Sequence, residues 1–434
     1  MIRRLALPLS LILLLAMSLP MLAVDKRAAD KRMPSPEWPQ WRGPHRDNLS
    51  TDKGLLDAWP SEGPPLAWKA SGLGAGFSGV SISHGQIYTM GDLGKDECVI
   101  ALDMNGKKLW TTAIGKSGSP GGYVGPRCTP AIDGDLLYAI DIEGDLACLK
   151  TANGKEVWRK SLPKDFGGKM HSHWGFSESP LVDRDKVICT PGGPAAGLVA
   201  LNKKNGAEIW RCEIPNLGDK GGDGAAYSSI VIGNGGGVRQ YVQLMGRGVV
   251  GVSDDGRFLW GYNRIANGTA NIPTPLVQGD YVFCSTGYGT GAALLKLTGS
   301  GSEVKADEVY FLNAKDLQNH HGGMFLLGDY VYCGHGHKLG APTCLNWKTG
   351  KIVWREPRGP GAGSAAVCYA DGNMYFRYED GLMTLMGASP DGYKLKGSFK
   401  IPDCNAPSWP HPVVVGGMLY LREQDNLFCY DVRK

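Results

Sequence analysis

Between residues 129 and 162, apolar and polar positions form four short runs separated by turn residues. Residues 129–133 read as a first strand, and Gly134-Asp135 turns the chain. Residues 136–140 (Leu-Leu-Tyr-Ala-Ile) read as a second strand, followed by a turn at 141–145. Residues 146–150 make a third. Asn153-Gly154 is a hairpin signal because both residue types tolerate positive φ. The run 156–162 alternates and forms the fourth strand. Four antiparallel strands joined by short turns make one sheet. The same order returns at roughly 79–114, 179–214, 227–264, 274–313, 322–358 and 364–402, while 409–434 supplies three strands only.

Five of the fourth strands are marked by a glycine followed four residues later by tryptophan. The pairs are Gly106 with Trp110, Gly154 with Trp158, Gly206 with Trp210, Gly256 with Trp260 and Gly350 with Trp354. The period is about 50 residues, and Tyr310 falls near the slot that lacks tryptophan. A repeat of this length means one supersecondary unit copied many times. The segment Pro65-Leu66-Ala67-Trp68-Lys69-Ala70 supplies the strand missing from the last sheet. The expected fold is all-β: an eight-bladed β-propeller of four-stranded antiparallel blades, closed by this N-terminal strand. Closure leaves no long open edge. The repeat tryptophans are therefore architectural, and Trp158→Ala is expected to cost roughly 3–5 kcal/mol, measured as a lowered urea midpoint.

Composition narrows the class. The net charge of +4 is small for 434 residues, and no basic run interleaves with aromatics, so nucleic acid is not an expected partner. Arg3 and Arg4 precede an apolar run from Leu5 to Ala23, which reads as a signal peptide over 1–23. An uncleaved membrane anchor is the competing reading, and the only route to a membrane. Residues 24–63 read as a linker and N-terminal segment, and 64–434 as the propeller. The expected location is outside the cytoplasm: periplasm, cell envelope or the medium. Cys189, Cys284 and Cys333 recur at one strand slot, which suggests buried free thiols, with disulfides as the alternative for an exported chain.

The patterns Leu102-Asp103-Met104-Asn105-Gly106-Lys107-Lys108-Leu109-Trp110 and Leu201-Asn202-Lys203-Lys204-Asn205-Gly206-Ala207-Glu208-Ile209-Trp210 resemble the PQQ-like β-propeller family, the fold of quinoprotein alcohol dehydrogenases. Trp38-Pro39-Gln40-Trp41-Arg42-Gly43-Pro44 looks like the opening of many exported members and reads as a Trp/Arg clamp on the propeller surface. Kelch propellers have a similar period, but the paired glycines here do not recur at a fixed place. The resemblance implies one of two classes. Some members are oxidoreductases holding pyrroloquinoline quinone (PQQ) and calcium. Others are non-catalytic exported scaffolds, such as the propeller lipoprotein of the outer-membrane barrel assembly machine. This chain lacks the adjacent cysteine pair of the dehydrogenases, their large insertions and any haem motif. The resemblance therefore carries PQQ and calcium no further than the family name.

In such a blade, the loops entering each sheet and the turns between strands two and three share one face. Seven of nine histidines fall there: His171, His173, His320, His321, His335, His337 and His411. Arg127, Trp174, Glu178, Tyr227, Asn271 and Trp409 share that face, with Phe77 near its rim. This predicts a polar, histidine-rich surface at the mouth of the central channel, taking a small molecule, a peptide or a protein partner. Four imidazoles, at 320, 321, 335 and 337, come from one sheet and suit zinc, copper or iron if they converge. The leading expectation is an exported, non-catalytic binding or scaffold module. A PQQ-dependent oxidoreductase and a metal-dependent hydrolase or lyase are the alternatives.

Overall fold

The computed structural model describes residues 36–300 and 303–434. The expected signal segment 1–23 and residues 24–35 lie outside the described residues. Eight four-stranded antiparallel sheets follow one another along the chain. Their innermost strands are Ser81–Ser83, Ala131–Asp133, Leu181–Asp183, Val231–Gly233, Leu276–Gln278, Met324–Leu327, Ala365–Ala370 and Val413–Val415, numbered here as blades 1 to 8. Within a blade the strands are added outward in chain order. Blade 8 alone differs: its outermost strand is Leu66–Ala70, paired antiparallel with Asn426–Asp431. The ring closes as the sequence predicts.

The repeat tryptophans join blade to blade. The indole N–H of Trp158 donates to the Lys203 carbonyl of the next blade at 3.1 Å, and Trp110, Trp210 and Trp354 donate likewise to Thr151, Asp254 and Ser389. Tyr310 fills the missing slot with its hydroxyl, 2.5 Å from the Trp347 carbonyl. The glycines are required by space as well as by conformation. Gly154 has φ +70°, and a Cβ there would lie 2.5 Å from the Trp110 ring. Trp260 departs from the scheme and donates to Gln240 Oε1 of its own blade at 2.5 Å. In the blade that follows, the outer strands, Gly291–Ser300 and Glu303–Asn313, run on as a long hairpin.

A belt of hydroxyls circles part of the hub. Two residues before the innermost strand stand Thr129, Ser179, Ser229 and Thr274 in blades 2 to 5. Thr129, Ser179 and Ser229 each donate their main-chain N–H to the hydroxyl of the next at 3.0–3.1 Å, and the Gly79 N–H of blade 1 reaches Thr129. The same slot holds Gly322, Gly363 and His411 in blades 6 to 8, so the belt lapses there.

The N-terminal segment does not clamp the outer surface. It runs through the hub itself. Trp38 pairs with Ile82, the Pro39 carbonyl accepts the Ile132 N–H, and Asn48 and Ser50 pair with Tyr369. Arg42 and Arg46 are only 2% and 3% exposed. Arg46 donates through Nε to Gln40, through Nη1 to the Ile230 carbonyl and through Nη2 to the Ser179 and Pro180 carbonyls. Inner-strand ends leave carbonyls without sheet partners, and a guanidinium with five fixed donors satisfies several at once. The segment thus closes one end of the channel. All eleven cysteines are free, and all but Cys404 are buried.

Candidate functional site

The open end of the channel is a cup of about 260 Å³. Its lining includes Arg127, Trp174, Tyr227, His320, His321, His337, Trp409 and His411 of the predicted face, together with Phe77. Blade-entry loops carry most of them, and the turn after the second strand of blade 6 carries His337.

Five predicted residues do not line the cup. Glu178 occupies the slot of Cys128 and Ser228, three residues before the innermost strand, and is buried there. It accepts from Thr190 N at 2.7 Å, Thr190 Oγ1 at 2.9 Å and Gln243 Nε2 at 3.2 Å. Asn271 ties down its own loop, donating to the Met245 and Gly246 carbonyls. His171 lies beside Tyr227 with ring centroids 5.7 Å apart, and exposed His173 stacks on Trp174 at 4.1 Å. His335 ends its strand and accepts the Gln318 N–H at 3.3 Å. Gly336, with φ +98°, breaks the alternation, so His335 and His337 part company.

The imidazoles that do meet are stacked. The His320 and His321 ring centroids are 3.8 Å apart at 24°, and His337 lies 4.1 Å from His320. His320 spends both nitrogens: Nδ1 on Ser364 Oγ at 2.6 Å and Nε2 on Tyr288 OH at 3.1 Å. Asn48 Nδ2 donates to His411 Nδ1 at 3.1 Å. Imidazole lone pairs lie in the ring plane, so stacked rings aim them side by side and not at one point. Among the described residues, no group of three or more His, Cys, Asp or Glu is placed to hold a metal ion.

Burial sets the protonation of this cluster. It pushes His320 down to about 2, His321 to about 3 and His411 to about 3, helped by neighbouring imidazoles or cations. At neutral pH these rings are uncharged hydrogen-bonding groups. Arg127 is lowered to about 10, again mainly by burial, and donates to the carbonyls of Gly125, Pro120 and Tyr123.

The structure adds residues that the sequence reading missed. Trp41, from the threaded segment, lines the cup beside His411, with ring centroids 5.5 Å apart. Tyr288, Lys338 and Glu379 come from turns between second and third strands. The rule that placed His337 on this face covers those turns as well, so the signal was there. Tyr288 and Lys338 also hold positive φ, 55° and 56°, where non-glycine residues are uncommon.

The fit to a quinone with calcium is poor. Calcium takes six to eight oxygen ligands. The cup offers indoles, imidazoles and cations, and Glu379, its one lining carboxylate, already accepts the Ser364 N–H at 2.9 Å. No cysteine pair is joined beside it.

Comparison with known proteins places the chain. The outer membrane protein assembly factor BamB of Xanthomonas campestris pv. campestris is 29% identical over 140 residues, which is 32% of each protein. The match thus spans about a third of that relative's length. BamB from Moraxella catarrhalis superposes with a TM-score of 0.55 at 12% identity, covering 84% of this chain and 97% of that one. Quinohemoprotein alcohol dehydrogenase from Comamonas testosteroni gives 0.62 at 14%, covering 92% and 81%. At such identities the likeness carries the fold alone. Residues 95–356, more than half of the chain, match the family model described as outer membrane protein assembly factor BamB, and the chain belongs to that family.

Proposed function

We propose that this chain is an exported, non-catalytic propeller of the cell envelope, and that it binds a protein partner or a ligand through the cup at its channel mouth. The observation that carries this reading is the cup itself: one end of the channel is closed by the chain's own segment, and the other is open, aromatic and incompletely hydrogen-bonded. Trp409 Nε1 and the Nδ1 atoms of His321 and His337 are buried without partners. Unmet buried polar groups at a concave surface mark a place where another molecule completes the bonding. The set does not read as a catalytic constellation. His320 contacts Ser364 through Nδ1, but its other nitrogen meets a tyrosine and no carboxylate orients it. The relative's name, an assembly factor of outer membrane proteins, supports a protein partner and a place outside the cytoplasm.

The test is site-directed photo-crosslinking in producing cells. A crosslinker at Lys338, on the cup rim, is expected to give discrete adducts in the envelope fraction. The same group at Gln278, at the closed end, is expected to give none of them. Equal adducts from both positions, or a purely cytoplasmic protein, would overturn the reading. Purified protein mixed with quinone and calcium is expected to show no new visible absorbance and no thermal shift; a stoichiometric chromophore that is reduced on adding an alcohol would establish the oxidoreductase alternative.

A further inference from the structure

The charges on the cup wall narrow the ligand. Arg127 enters from the blade 2 loop, and its hydrogen bonds go to main-chain carbonyls and to no carboxylate. Lys338 is exposed on the blade 6 turn and makes no ion pair among the described residues. Glu379 is the single carboxylate lining the cup, and Ser364 N–H already engages it, while Asp92 and Glu97 act on Arg127 from outside the lining. Burial first, and then neighbouring charges including Lys338, hold the intervening imidazoles below their ordinary range. The wall therefore presents two cations against one anion.

Its other character is flat and aromatic. Phe77 and Trp409 lie 4.5 Å apart, and Tyr123 and His321 each approach Trp409 at 4.7 Å. The unpartnered Trp409 Nε1 can only donate, so what meets it must be an acceptor. A volume of about 260 Å³ leaves room for a substituted planar ring.

We infer that the cup takes a small planar ring bearing one anionic group, as a carboxylate or a phosphate ester. The ring stacks among the aromatic side chains, and the anion faces Lys338, Arg127 and the Trp409 N–H. This rests on the reading that the mouth is the binding site. A cationic ring is opposed by both basic side chains, and a neutral sugar would leave their charge unanswered.

The experiment titrates the full chain with four probes and follows tryptophan fluorescence, since Trp41, Trp174 and Trp409 line the cup. Benzoate and phenyl phosphate separate the two anion types, benzamide removes the charge, and inorganic phosphate removes the ring. At least one of the charged rings is expected to bind saturably. Benzamide is expected to bind about tenfold more weakly, the loss of one charge-assisted contact. Lys338→Gln, at an exposed turn, is expected to bring the charged ring down to the benzamide level without lowering the melting temperature. Trp409→Phe keeps the ring wall but removes the N–H, and is expected to weaken the charged probes by a smaller factor. Benzamide binding as tightly as benzoate, an unaltered Lys338→Gln variant, or inorganic phosphate binding as well as phenyl phosphate would each overturn the inference. If no ring binds while crosslinks still form at Lys338, the ligand class is wrong and the binding mouth stands.

Discussion

The hub of this propeller has two halves at the same height and in the same register slot, and they are built differently. In blades 2 to 5 the slot holds Thr129, Ser179, Ser229 and Thr274, each hydroxyl receiving a main-chain N–H from the blade before. In blades 6 to 8 it holds Gly322, Gly363 and His411. The glycines leave no hydroxyl to extend the belt, and the stacked His320 and His321 stand at that side. The two arginines of the threaded segment divide the same way. Arg46 faces blades 3 and 4 and meets acceptors through Nε, Nη1 and Nη2. Arg42 reaches the Met324 carbonyl of blade 6 with Nη2 at 2.8 Å, while its Nε and Nη1 have no partner. Among the described residues, apart from Asp92, Glu97 and His171, the buried side-chain atoms left without partners lie in blades 6 to 8 or in the N-terminal segment. Where the repeat is broken, unsatisfied groups collect, and a site becomes possible.

The most severe test of this contrast is Arg46→Met. It removes a buried cation that holds carbonyls of two blades, leaving them dry and unbonded. The expected loss is about 3–5 kcal/mol, read as a shift of the urea midpoint. A variant that unfolds like the parent would show that blades 3 and 4 do not depend on the threaded segment. Next is Ser179→Ala, which leaves the Thr129 N–H without an acceptor. It is expected to cost about 1–3 kcal/mol. Its effect on ligand binding should be nil, because Ser179 does not line the cup.

The halves should also answer pH with opposite sign. His320 and His321 sit below their ordinary 6.5, at about 2 and about 3, because burial penalises the charged ring. Below pH 6.5 the unfolded chain takes up protons that the folded rings refuse. Their contribution to stability is thus complete above pH 6.5 and is lost as pH falls toward 3. Glu178, in blade 3, is raised from 4.5 to about 7, chiefly by burial. Its contribution is complete below pH 4.5 and is lost as pH rises through 7. Replacing His320 and His321 together by Gln is expected to flatten the acid limb of the melting-temperature curve and to leave the decline between pH 5 and 8. An unchanged acid limb would place that sensitivity elsewhere.

Much of this was legible in the chain, and for definable reasons. Gly154 and Trp158 announce the blade because a turn needing positive φ and a large side chain four residues on recur together. The cysteines declared themselves buried by recurring at a strand slot. Trp68 closes the ring where a lone fourth strand was missing. What sequence could not supply was direction. Glu178 and His321 occupy the same slot before their strands, yet one is enclosed with Thr190 and Gln243 and the other lines the cup. The difference lies in what packs around each, and that is tertiary. Trp41 was equally hidden: nothing local in Trp38-Pro39-Gln40-Trp41 says that the segment enters the channel.

The finest test falls on Tyr288, a strained residue on a blade 5 turn that lines the cup. Its φ of 55° belongs to the left-handed region, which costs an ordinary side chain roughly 1–2 kcal/mol and glycine far less. Its hydroxyl lies 3.1 Å from His320 Nε2, and its ring meets His337 at 4.5 Å. Tyr288→Gly relieves the backbone but removes those contacts, so the two effects oppose. The net change in stability is expected to stay within about 1 kcal/mol, the smallest of the set. Binding of a charged ring should nevertheless weaken, since the wall behind His320 is gone and the imidazole is free to turn. A large loss of stability would make Tyr288 a packing residue like those of the hydroxyl belt and not a residue kept for the cup. Preserved stability with impaired binding would mean that the fold tolerates this conformation for the sake of the cup.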